Sequence, residues 1–113
     1  MLFDELNNNA RRTIKENIDL GTMEFKPLKE FVGQVVKVDG FFYTNGKYGK
    51  QVVVVGNGCK INVPSREVAK FERIEESDDM LKAMMEGHLI LTNIVERNTR
   101  NGTTVFFKYD YIA

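Results

Sequence analysis

The chain has no tryptophan, one cysteine, one histidine and two prolines among its 113 residues. A single thiol, Cys59, excludes an intramolecular disulfide, and one Cys with one His cannot furnish the three or four ligands of a zinc centre. An excess of one charge sign is also missing. Sixteen Lys and Arg stand against sixteen Asp and Glu, which argues against a histone-like polycation. No apolar run approaches the ~20 residues needed to cross a bilayer, and the opening Met1, Leu2, Phe3, Asp4 and Glu5 lack the basic and apolar regions of a secretory leader. These absences lead to the expectation of a cytoplasmic protein without metal or cofactor. With 42% hydrophobic and 28% charged residues, the length suits one globular domain with a single core and excludes a two-domain enzyme.

The zero total hides an uneven distribution. Residues 29 to 63 carry five basic and two acidic groups, whereas residues 64 to 87 carry four basic and seven acidic ones. Local positive potential is enough to steer a polyanion, so a basic groove on one face remains compatible with neutrality. Leu2, Phe3, Leu6, Ala10 and Ile14 recur at helical spacing, but Asn7, Asn8 and Asn9 form helices poorly. Residues 1 to 22 therefore read as an arm or marginal helix, and 23 to 113 as the main domain.

Within that domain Phe31 to Tyr43 alternates as a strand, with Val36, Val38, Gly40 and Phe42 on one face and Lys37, Asp39, Phe41 and Tyr43 on the other. Gln51 to Val55 forms a second strand whose unbroken valines suggest burial on both faces or a tight barrel. Gly56-Asn57-Gly58 supplies the positive φ of a hairpin turn, and Cys59 to Val63 alternates again. Ser65 reads as the N-cap of a short helix that turns Val68, Phe71 and Ile74 inward. A second helix follows Ser77, with Met80, Leu81, Met84 and Met85 as its apolar stripe and Gly87 as its C-terminal cap. Leu89 to Arg97 and Thr103 to Ile112 are strands joined by a loop containing Asn101-Gly102. Five short strands with helices between the third and fourth is the order of the OB-fold, a partly open Greek-key barrel.

No catalytic constellation is present. Cys59 reads as a buried structural thiol, and His88 as a helix-terminal residue with no spacing rule linking the two. The acidic run from Glu72 to Asp79 lacks the Asp-x-Asp-x-Asp-Gly pattern of a calcium loop and reads as a solvated linker. Gly46 and Gly49 lack the spacing of a phosphate-binding loop.

The stronger pattern combines cations with aromatics. Lys37, Phe41 and Tyr43 share the face of the first strand predicted to lie away from the core, and Lys47, Tyr48 and Lys50 follow in the first loop. Bases stack on flat rings while phosphates attract cations, which is why single-strand binders interleave the two. Arg97 and Arg100 occupy the loop joining strands four and five, and Lys60 and Asn62 would complete a track across strand three. Two alternative readings stand beside it: loops that serve turn chemistry and solubility alone, and an aromatic sheet surface, including Phe106, Phe107, Tyr109 and Tyr111, that is a protein-interaction face. Some of those four rings must be covered by the arm, a ligand or a second subunit, which with Leu2, Phe3 and Leu6 suggests a homo-oligomer.

The runs FVGQVVKVDGFFYTNGKYGKQVVVV, NGCKINVPSREVAKFE and NGTTVFFKYDYI resemble small OB-fold proteins of phages and mobile elements of Gram-positive bacteria, over residues 30 to 112. Some such proteins bind single-stranded DNA. The resemblance implies a role in replication, recombination or repair of the element, with proteins of those processes as partners, and assigns Lys47, Tyr48 and Lys50 to the loop that touches DNA. The chain departs from cellular single-strand binders in lacking Trp and a long acidic, glycine-rich tail, so recruitment of partners through such a tail is not expected. Pattern alone leaves open DNA against RNA and any base preference.

Overall fold

Four consecutive valines, Val52 to Val55, are all at most 1% exposed, as their unbroken run predicts. Val52 and Val54 join the main core with Phe41, Ile61 and Val63, while Val53 and Val55 belong to the opposite face of the sheet. The computed structural model describes residues 13–15, 18–47, 49–100 and 102–113. Its strands are β1 (Phe25–Pro27), β2 (Val36–Gly46), β3 (Gly49–Gly56), β4 (Cys59–Val63), β5 (Leu89–Thr99) and β6 (Gly102–Tyr111). Two helices, α1 (Val68–Glu76) and α2 (Asp78–Met85), lie between β4 and β5. The strands form a curled half-barrel in the order β1-β4-β3-β2-β5-β6. The five strands expected are thus six. The additional strand, β1, pairs in parallel with β4 through Phe25↔Lys60 and Pro27↔Asn62; three exposed residues ending in proline carry no readable alternation.

β2 begins at Val36 rather than Phe31, because Leu28–Phe31 forms a 3-10 turn that buries Leu28 and Phe31. Val36 and Lys37 pair with β5, while the rest of the strand from Val38 pairs with β3. A bulge between Val38 and Gly40 marks the transfer. One inserted residue shifts the side-chain alternation by one. Val36 and Val38 point inward before the bulge, and Phe41 and Tyr43 do so after it. The sequence-based assignment of Phe41 and Tyr43 to the outer face is therefore corrected. Phe41 is fully buried and meets Phe71 edge-on at 5.0 Å; such burial contributes roughly 1.5–3 kcal/mol.

Beyond the bulge β2 has no partner in β5, and residues 13–15 take that edge. Phe41 N–H donates to Thr13 O at 2.9 Å, Lys15 N–H to Asp39 O at 3.1 Å, and Ile14 bridges to Gly40. A Cβ on Gly40 would stand 2.6 Å from Ile14 Cα, so only glycine admits this crossing. Of the rest of the expected arm, residues 20–22 form a single 3-10 turn capped by Asp19, and residues 1–12, 16 and 17 lie outside the described residues. At the β3–β4 turn Asn57 and Gly58 have φ of 51° and 77°, the pairing a two-residue hairpin demands.

Pro64 precedes a 3-10 turn, Ser65–Glu67, and Ser65 caps no helix: α1 begins at Val68 without a side-chain cap. Ser77 does cap α2, accepting from Met80 N–H at 3.2 Å. Val68, Phe71, Ile74 and Met84 are buried, but Met80 stays half exposed. No helix among the described residues is long and apolar enough to cross a membrane.

Candidate nucleic-acid interface

The two edges of the half-barrel, β1 with β4 on one side and the β5–β6 hairpin on the other, face each other across a groove of ≈ 690 Å³. Lys26 and Lys29 line one wall, Gln51 and Asn62 the floor, and Glu96 and Thr103 the opposite wall. The side chains of Lys26 and Lys29 make no ion pair or hydrogen bond among the described residues. At the same edge Lys60 Nζ sits 4.4 Å over the Phe25 ring, which is half exposed. Parallel pairing explains this contact, because Phe25 and Lys60 are opposite partners and share a face.

Side chains tie the hairpin down where no backbone ladder closes the sheet. Arg66, in the 3-10 turn after β4, donates to Thr104 Oγ1 at 3.1 Å and to the Val105 carbonyl, with its guanidinium 4.4 Å over Phe106. Glu67 is 5% exposed yet satisfied: Tyr109 OH donates to it at 2.8 Å, and Lys70 and Arg66 lie at 3.2 and 3.4 Å. Burial and the neighbouring carboxylate push the Tyr109 hydroxyl well above its ordinary pKa.

The structure brings only some of the expected residues to this groove. Asn62 lines it and Lys60 stands at its edge. Lys50 alternates with groove-lining Gln51 and points the other way, lying 4.1 Å over the Tyr43 ring and 3.8 Å from Glu72 of α1. Tyr43 packs on the core and donates to Glu75 at 3.0 Å, and Phe41 offers no surface at all. Lys37 runs beside Gly87, at the opposite end of β2 from the Gly46–Gly49 turn. Lys47 is exposed in that turn, and Tyr48 lies outside the described residues. Arg97 lies 5.7 Å over Phe106, and Arg100 occupies the exposed β5–β6 turn. Of the β6 aromatics, Phe107 and Tyr109 pack on the core and Tyr111 is exposed.

Phe25, Lys26 and Lys29 are the groove residues that pattern reading missed. Two lysines flanking Pro27 and Leu28 were the available signal, but no alternation placed them beside β4.

The other reactive groups are occupied structurally. The Cys59 thiol donates to Gly56 O at 3.3 Å, and burial raises its pKa. His88 Nδ1 contacts Ile112 O at 2.7 Å. No group of three His, Cys, Asp or Glu residues among those described could hold a metal ion. No protein-family model, curated protein or solved structure matches the chain.

Proposed function

We propose that the chain is an OB-fold-like, non-catalytic binder of single-stranded nucleic acid, with the strand lying in the groove between the β1–β4 edge and the β5–β6 hairpin. The observation that carries this reading is the pair of unpaired cations, Lys26 and Lys29, on a groove wall whose edge presents Lys60 and the open Phe25 ring. Phosphates supply the matching charge and bases the matching flat surface. The amides of Gln51 and Asn62 on the floor can donate to or accept from base edges. The order β4-β3-β2-β5-β6, with α1 and α2 between β4 and β5, supports the OB-fold-like assignment, since oligonucleotides lie across the second and third strands of that fold. A groove walled on both sides, by Lys26 and Lys29 and by Glu96 and Thr103, favours a single strand over a rigid duplex.

Anisotropy titrations of labelled oligo-dT against a duplex of equal length, at several salt concentrations, test the proposal. Oligo-dT should bind more tightly than duplex, with log K falling by ~0.7 per neutralised phosphate. Absence of binding at ~10 μM protein in low salt, where even non-specific electrostatic association is visible, overturns it.

A further inference from the structure

A second cavity, of ≈ 450 Å³, opens between α1, α2 and the C-terminal end of β6, away from the groove. Its floor is aliphatic, formed by Ile74, Met80, Ala83 and Leu89. Its rim is cationic. Lys70 is partly neutralised by Glu67 at 3.2 Å, but the exposed Arg73 side chain has no partner among the described residues. Asp110, the carboxylate on this rim, already accepts from Thr92.

The third wall is backbone. β6 is an edge strand, and no strand pairs with its outer side among the described residues. Ile112 N–H donates to His88 O, and Leu89 stands opposite Tyr111. Alternation then turns the N–H and C=O groups of Tyr109 and Tyr111 away from β5. The same alternation turns the Val105 carbonyl outward, where Arg66 takes it. The edge is thus capped by a side chain at Val105 and left open beside the cavity.

We propose that this cleft docks an extended segment of a partner protein that alternates apolar and acidic side chains and pairs with the open edge of β6 at Tyr109 and Tyr111. Each feature selects part of that chemistry. Edge N–H and C=O groups recognise extended backbone, and an adjoining cavity selects every second side chain. The aliphatic floor takes the apolar set, and the free guanidinium of Arg73 takes a carboxylate in a charge-assisted bond. The volume falls within the ~300–1,000 Å³ range of specific sites. A nucleic-acid strand fits this cleft less well, because of its three rings Tyr109 packs on the core and His88 and Tyr111 stack on each other at 4.9 Å, and the Asp110 carboxylate stands beside the two rim cations, where it repels phosphate. The inference is independent of the groove and its occupant.

The test uses the full chain and a fluorescein-labelled decapeptide of alternating Leu and Asp, with the Leu-Lys decapeptide as control. The Leu-Asp peptide should bind saturably and shift the amide resonances of Tyr109 and Tyr111, whereas the control should not bind. Arg73→Gln, at an exposed site where the side chain makes no hydrogen bond or ion pair among the described residues, should weaken the Leu-Asp peptide by about tenfold and leave oligo-dT affinity unchanged. N-methylation of alternate residues of the peptide should abolish binding in one register and spare it in the other. No binding up to about 1 mM peptide, equal binding of the Leu-Lys control, an unchanged affinity in Arg73→Gln, or displacement of the peptide by oligo-dT each overturns the proposal, the last assigning the cleft to nucleic acid.

Discussion

Two phenylalanines show how far burial separates residues of one type. Phe41 is fully enclosed between Phe71 and the valines of β3, whereas Phe25 keeps 56% of its surface exposed beneath Lys60. Phe41→Ala should destabilise the chain by about 3–5 kcal/mol, the usual cost of a core cavity, and Phe25→Ala by no more than about 0.5 kcal/mol, as read from urea midpoints. Phe25→Ala should instead weaken oligo-dT binding by about 1–3 kcal/mol if its ring is a base platform. The opposite assignment of costs would remove the bulge-shifted register. Tyr109 sets a pH dependence of its own. Its folded-state pKa is raised above the ordinary 10.0 by burial and by the bond to Glu67, so the fold favours the neutral phenol. The stability that follows is intact below pH 10 and is lost as pH climbs above it. Tyr109→Phe should show a shallower fall in urea midpoint between about pH 10 and 12 than the wild type; identical slopes would separate Tyr109 from the alkaline transition.

At the scale of elements, the β5–β6 hairpin is joined to the rest of the sheet by few ladder pairs. Its two strands pair with each other along nearly their whole length, but β5 meets β2 only through Ile90 and Leu91. Arg66 fastens its outer half to the turn after β4 through Thr104, Val105 and the Phe106 ring. Arg66→Ala should speed amide exchange at residues 103 to 106 while leaving β3 and β4 protected, because opening that half breaks no other ladder. Uniform acceleration across the sheet would mean that the guanidinium supports the whole core rather than one wall of the groove.

At the scale of the whole molecule, the proposed binding in the groove rests on summed charge. Lys26, Lys29 and Lys60 sit on one edge of a chain whose formal net charge is zero, so local placement alone must supply the attraction. Replacing all three by Ala should lower the slope of log K against log salt by ~2 for oligo-dT, one increment of ~0.7 per lost phosphate contact. Urea midpoints should change little, because Lys26 and Lys29 make no side-chain bond to lose. An unchanged slope would move the phosphate track elsewhere, with Lys47 and Arg100 at the exposed turns as the next basic positions.

The sequence by itself determined the local elements: the span Cys59 to Val63, the doubly buried valines, the Asn57-Gly58 turn, the second helix from after Ser77 to its glycine cap at Gly87, and the place of the helices in the strand order. These follow from alternation, backbone preference and capping, which act within a few residues. Only the tertiary structure decided which rings reach solvent and which cations gather. The bulge in β2 arises where one strand leaves β5 for β3, and no local pattern records a change of partner; it carried Phe41 and Tyr43 from the predicted surface into the core. The parallel pairing of Phe25–Pro27 with β4 likewise joins residues more than thirty positions apart. A groove wall made from two distant segments exists only once the sheet has curled.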